Sequence, residues 1–237
     1  VVVGEQQVAV FGREEGGATR HAIVFGGELE YRAEILIERS FIERAAMHLH
    51  FSYCKPDLAF EKDEQRVCCM ERIWNMALEW QRESSRQAVA HFLTKLHWLG
   101  IQFKMSTKEY SERIHISPED RSRMQKICVA LQEQIDRLTR GAGHSDGLPG
   151  NNDPVSCQAE ALAEMEHRRW CQERLLNGWT PLPEARQSEW YEPGGAAKLK
   201  NGRCRHLNLV PFEQLPAGDK IKDYEQLKWL MEFVLGE

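Results

Sequence analysis

A run rich in Gly, Pro, Asn, Asp and Ser spans 141–154 and separates two long stretches patterned for helix. Glycine weakens a helix through its backbone freedom, and proline breaks it by removing a donor and clashing with the turn before. The run therefore reads as a linker between helical layers, and any fold for this chain has to place helices on both sides of it.

Upstream of the linker, Ile37, Phe41, Ala45, His48 and Leu49 recur at helical spacing from about Glu34, until Lys55-Pro56-Asp57 breaks the pattern. A second helix is expected from Asp63 to Gln81, and a third from a cap at Ser84 or Ser85 to Leu99, stopped by Gly100. Ser117-Pro118-Glu119-Asp120 is a strong start: a cap, a proline in the first turn, and acids at the positive end of the dipole. That helix runs to about Arg140 and carries Met124, Ile127, Leu131, Ile135 and Leu138 at near-heptad spacing. This stripe reads as core before it reads as a seam to a second copy.

Downstream, Val155 to Asn177 is expected to be helical and closed by Gly178. Pro181 to Arg205 then forms a long loop, and Asp219 to Leu235 a last helix. At the N-terminus, Gln7–Phe11 and His21–Phe25 are short apolar runs around a Gly-rich turn. They predict a β-hairpin over 1–33; no Gly-Lys-Ser/Thr follows, so the glycines are not a phosphate loop. The expected class is mainly α: a short N-terminal β-hairpin, then two related helical modules over 34–140 and 155–237.

Net charge is −5 with 28% charged and 42% hydrophobic residues. A packed core is available, and a nucleic-acid duplex is not an expected partner because no long basic tract exists. No apolar run has the length of a membrane span. Seven cysteines without a Cys-x-x-Cys pair fit a reducing cytoplasm better than a disulfide framework. The Val1-Val2-Val3 start lacks Met, which suggests a fragment preceded by another domain.

The two helical stretches share a pattern. Ala46, His50 and Tyr53 in the first match Ala163, His167 and Trp170 in the second, as Ala-x-x-x-His-x-x-aromatic. This spacing puts all three side chains on one helix face. Trp74 and Leu78 precede a helix ending at Gly100, as Phe212 and Leu215 precede one ending near Gly236. Two matches in the same order suggest an internal duplication.

The second stretch has a fuller signature. Leu162-Ala163-Glu164-Met165-Glu166-His167-Arg168-Arg169-Trp170 is followed by Asn177-Gly178-Trp179, then by His206 to Pro216 and by Asp223-Tyr224. This resembles the ryanodine-receptor-type (RyR) repeat over about a third of the chain. Thr180-Pro181-Leu182-Pro183 and a longer insert depart from the family's Tyr-Gly stretch. The first stretch resembles a segment upstream of RyR repeats in bacterial proteins that also carry a Rossmann-type TrkA-N domain. Trp74, Leu78, Glu83 to Ala88, Leu96 and Gly100 carry that likeness. The resemblance implies an upstream Rossmann or effector domain, which could hold NAD, and a link to potassium-transport regulation or nucleotide-signalled defence.

Aromatic faces stack on bases, and a planar guanidinium grips phosphate by two hydrogen bonds. The expected ligand-binding residues are therefore His167, Arg169, Trp170, Trp179, Arg205, His206 and Tyr224, with Arg168 nearby. A second candidate set is His50, Tyr53 and Arg86. The competing reading is packing: large aromatics usually pin elements together, and His167 could be satisfied by the backbone. His167, Cys171, Cys204 and His206 have the ligand types for zinc, but the Cys-x-His spacing is unusual and no metal is expected. No metalloprotease, nucleophile-elbow or Walker motif is present, so no catalytic residue is assigned. The expected function is a regulatory module that senses a small anionic, nucleotide-like ligand, with no cofactor in this chain. The alternative is a protein-interaction or homo-oligomerisation module.

Overall fold

The computed structural model describes residues 40–54, 63–108, 111–140 and 153–236. The hairpin expected over 1–33 and most of the 141–154 linker lie outside the described residues. Helices dominate: α1 Phe41–Cys54, α2 Asp63–Met76, α3 Glu79–Trp98, α4 Pro118–Arg140, α5 Pro154–Leu176, α6 Ser188–Tyr191, α7 Gly195–Arg203 and α8 Ala217–Gly236. Strands β1 Phe103–Lys108 and β2 Ser111–Ile116 form an antiparallel hairpin; β3 Thr180–Pro181 and β4 Arg205–His206 make a short parallel pair. None of the described helices is long and apolar enough to cross a membrane.

Helix ends follow local chemistry where caps are explicit. The Ser117 hydroxyl accepts from the Asp120 amide at 3.0 Å and starts α4. Asp153 caps α5 by accepting from the Ser156 amide at 3.2 Å, with Pro154 in the first turn. Gly100 and Gly178 follow α3 and α5 with φ of +70° and +78°, the left-handed turn that glycine adopts without Cβ strain.

Three expectations need correction. Helix α2 stops at Met76, not Gln81, and α3 starts at Glu79. The reason is the Gln81 side chain, which accepts from the Leu78 amide at 2.9 Å and closes the start of α3. Ser84 and Ser85 are consequently inside α3: Ser85 bonds back to the Gln81 carbonyl, and Ser84 donates to Glu173 at 2.9 Å. The β1–β2 hairpin was not expected at all, although Phe103 and Met105 face Ile116 and Ile114 in register. The long loop from Pro181 to Arg205 contains a 3₁₀ turn at Glu184–Arg186 and helices α6 and α7.

The two halves share one hydrophobic core. It takes Phe41, Ala45, Ala46 and Leu49 from α1, Phe92 and Leu96 from α3, Leu131 from α4, Leu162 from α5, and Leu227 and Met231 from α8. Helix α1 packs on α3, α5 packs on α8, and α4 lies along α8 and α5. The α4 stripe of Met124, Ile127, Leu131 and Ile135 is buried inside the chain, so it offers no seam to a second copy. The two Ala-x-x-x-His-x-x-aromatic stretches each place their histidine against an aromatic ring. The His50 ring meets Trp74 with centroids 5.7 Å apart, and the His167 ring meets Phe212 at 6.0 Å. Ala46 and Ala163 are both fully buried beneath them.

A polar knot sits where the halves meet. Lys95 of α3 and Glu166 of α5, both without solvent access, pair at 2.6 Å. Glu166 also accepts from Arg169 at 2.7 Å and from the Gln226 amide of α8. Arg169 reaches on to Glu173 at 2.8 Å, and His91 stands 2.8 Å from the Lys95 ammonium. Burial alone would raise the Glu166 pKa, but Arg169 and Lys95 outweigh it and hold the carboxyl below its usual range. Removing one member strands the others without water. Glu166→Leu should therefore cost about 3–5 kcal/mol in urea unfolding, and adding Lys95→Met should recover part of that loss. A single variant as stable as the wild type would contradict a structural role for the knot.

Candidate functional site

A cleft opens beside this knot, on the seam between the halves. Its volume is about 230 Å³, and its walls come from α1, α3, α5 and α8. Tyr53 and His50 stand on one side, Trp80 and Ser84 on another, with Trp170, Arg174 and Gln226 opposite. The Tyr53 hydroxyl donates to Gln226, whose amide is tied to Glu166, so the cleft floor is continuous with the buried ion pair. Burial, then Glu166, keep that hydroxyl protonated.

The cation of this cleft is Arg174. Its guanidinium lies 5.3 Å from the Trp80 ring centre, 5.8 Å from Trp170 and 5.2 Å from Trp179. Cation–π contact holds the group flat against aromatic faces. Among the described residues no carboxylate hydrogen-bonds to it, and burial lowers its pKa first of all. Arg169, by contrast, lines the cleft with its charge already shared by Glu166 and Glu173. The charge expected from Arg169 thus comes from Arg174, one helical turn beyond Trp170. Trp-x-x-x-Arg spacing was the available signal.

Behind Arg174, His206 is enclosed by aromatic rings. Trp170 and Trp190 lie 4.9 Å from its ring, and Trp179 lies 6.1 Å away. Its Nδ1 accepts from the Asn208 amide at 3.1 Å, which leaves that nitrogen unprotonated. Burial, reinforced by Lys200 and Arg174, pushes the His206 pKa down to about 3.

The predicted residues divide accordingly. His50, Tyr53, Arg169 and Trp170, expected as two separate sets, line one cleft. Trp179 and His206 form its backing layer through Arg174 and Trp170. His167 lies on the neighbouring face: Nε2 donates to the Val210 carbonyl at 2.8 Å, and Nδ1 is 3.5 Å from Asp223. Arg205 sits half-buried on β4 beside His206 and lines neither this cleft nor its neighbour around Asp223. Tyr224 is a core residue, buried against Phe212 at 6.3 Å. Arg86 is engaged by Glu43 and Glu79 and lies over Trp74 at 5.5 Å, on the opposite face of α3. Trp80, Ser84, Arg174 and Gln226 were not foreseen. Among the described residues, no three His, Cys, Asp or Glu side chains are grouped to hold a metal ion. Cys204 is exposed and His206 is enclosed by tryptophans, so the zinc set does not assemble.

The enclosed imidazole makes stability depend on pH. Below 6.5 the unfolded chain protonates His206, whereas the folded cage resists protonation down to about 3. The unfolded state then binds more protons, so this contribution is lost as pH falls through that window. His206→Phe keeps a ring in the cage and removes the proton. Thermal melts between pH 6.5 and about 5 should show a shallower acid decline in the variant; parallel curves would count against the cage. No protein-family model, no curated protein and no solved structure matches this chain, so its geometry alone defines the site.

Proposed function

We propose that the chain is an RyR-type, ligand-sensing regulatory module whose seam cleft takes a small, planar, anionic ligand of nucleotide-like chemistry. The observation that carries this reading is the combination of Trp80, Trp170 and Arg174 around one opening. Trp80 is half-exposed, which leaves ring surface for stacking beside the Arg174 contact, and no carboxylate among the described residues hydrogen-bonds to Arg174. A base would stack on the tryptophan, and its phosphate would meet the guanidinium. Because the walls come from both halves, an occupied cleft would hold α3 and α5 together and bias how the module sits against an upstream Rossmann or effector domain. Potassium-transport regulation and nucleotide-signalled defence are the settings that the RyR resemblance suggests, with a cytoplasmic location.

The alternative is an interaction module without a small ligand. Leu175 and Leu176, at 51% and 89% exposure near the end of α5, favour it. The buried α4 stripe takes away its other support.

A thermal-shift panel of NAD, ADP-ribose and mono- and cyclic nucleotides separates the two. Ligand at a hundred times its Kd adds about 2.7 kcal/mol, a rise of roughly 5–10 °C for a chain of this size. Trp80→Ala should weaken that ligand by about tenfold or more while leaving the unliganded Tm unchanged, since the side chain is half-exposed. No shift with any nucleotide would favour the interaction module.

A further inference from the structure

The second His-x-x-aromatic helix carries one more residue that the cleft does not use. Cys171 follows Trp170, one turn after His167, and its sulfur lies 3.3 Å from His167 Nε2. That nitrogen also faces the Val210 carbonyl at 2.8 Å, a contact that requires a proton on Nε2. On the other side of the ring, Nδ1 faces Asp223 at 3.5 Å and is drawn to carry a proton as well. Both ring nitrogens thus face acceptors, an arrangement that favours the imidazolium form. Burial opposes that charge, but Asp223, Cys171 and Val210 outweigh it and push the His167 pKa up to about 10.

The sulfur opens on a groove of about 320 Å³ walled by Leu175, Pro181, Leu209 and Pro211, with Arg168 and Glu213 at its edges. The Asn208 and Val210 carbonyls stand 3.9 and 4.0 Å from the sulfur, farther than the imidazolium. The chain contains its own comparison. Cys54 follows Tyr53 one turn after His50, with its sulfur 3.8 Å from His50 Nε2. There burial lowers the His50 pKa, and Arg86 occupies the position, counted from Leu78, that Asp223 occupies counted from Leu215. The same local motif thus has a carboxylate-facing imidazole beside the sulfur in the second stretch, whereas no carboxylate is seen at the His50 ring among the described residues.

We propose that Cys171 is a reactive thiol site that forms a mixed disulfide with a low-molecular-weight disulfide entering the Leu175–Leu209 groove, with His167 and Asp223 as its positioning pair. The cysteine gives its thiol proton to solvent as the sulfur attacks one sulfur of R–S–S–R. The Cys171–S–S–R bond forms, the incoming S–S bond breaks, and R–S⁻ leaves and takes a proton from water. The incoming disulfide is the oxidant: one of its sulfurs leaves reduced, and the Cys171 sulfur is oxidised. The neighbouring imidazolium stabilises negative charge on the attacking sulfur, as electropositive surroundings do for reactive cysteines generally.

The test is substoichiometric dithiodipyridine on the native chain at about pH 6, followed by peptide mapping. At that pH an unassisted thiol is only about one part in three hundred thiolate. Cys171 is half-buried whereas Cys54 and Cys204 are exposed, so access alone predicts that it labels after both. The expected result is that Cys171 labels at least about tenfold faster than either. Asp223→Asn should slow Cys171 by about tenfold and leave Cys204 unchanged. His167→Gln should do the same, with the far-ultraviolet spectrum checking its fold. A wild-type rate at Cys171 no greater than at Cys54, or a folded Asp223→Asn chain labelling as fast as wild type, would overturn the proposal. Both readouts are independent of nucleotide binding in the seam cleft.

Discussion

Everything at the seam depends on one buried ion pair, Lys95 with Glu166. An isolated charge in that position would be prohibitive, so the surrounding polar groups are arranged to complete it. Arg169 and Gln226 take the other bonds of Glu166, Glu173 balances Arg169, and Ser84 and Tyr53 cap the two ends. These partners come from α1, α3, α5 and α8. The knot is satisfied only when helices from both halves are docked in a single arrangement, which is how a buried polar cluster specifies geometry where an apolar one tolerates slippage.

The docking has two consequences for the surface. It brings Trp80 of α3 against Arg174 of α5, and so creates an aromatic and cationic opening that neither half has alone. It also leaves the two copies of the His-x-x-aromatic motif in different electrostatic settings. His50 meets Trp74 and loses basicity by burial; His167 lies between Val210 and Asp223 and gains it. Both histidines of the shared motif meet an aromatic ring, Trp74 in one stretch and Phe212 in the other. The motif does not give repeated chemistry, because chemistry follows from the neighbours that other elements supply.

Much of the secondary structure was legible because its signals act within one or two turns. Ser117 with Pro118, and Gly100 and Gly178, mark helix ends through caps and backbone preferences that need no distant partner. The misplacement of the α3 start has a local cause too: Gln81 supplied the cap, while serines that resembled caps turned inward. The β1–β2 hairpin was missed because its alternation is short and, among its described side chains, only Ile114 is deeply buried.

The candidate site was legible in type but not in membership. The pattern singled out His50, Tyr53, Trp170 and Arg169, and the fold gathers them in one cleft. The pairing of Arg169 was within reach of the sequence, since Glu166 and Glu173 stand three and four residues away on one helix. The Trp170–Arg174 spacing was also there to read, but the Trp80 contact was not, because Trp80 lies on α3 and only helix docking sets it under the guanidinium. The long helices and their apolar faces, and the start of α4 at Ser117, were readable in the sequence because they follow from interactions between residues a few positions apart. Helix docking, not local sequence, places Arg174 against Trp80 and His167 beside Asp223. Charge, burial and proton affinity are set by whatever distant groups come to lie within a few ångströms.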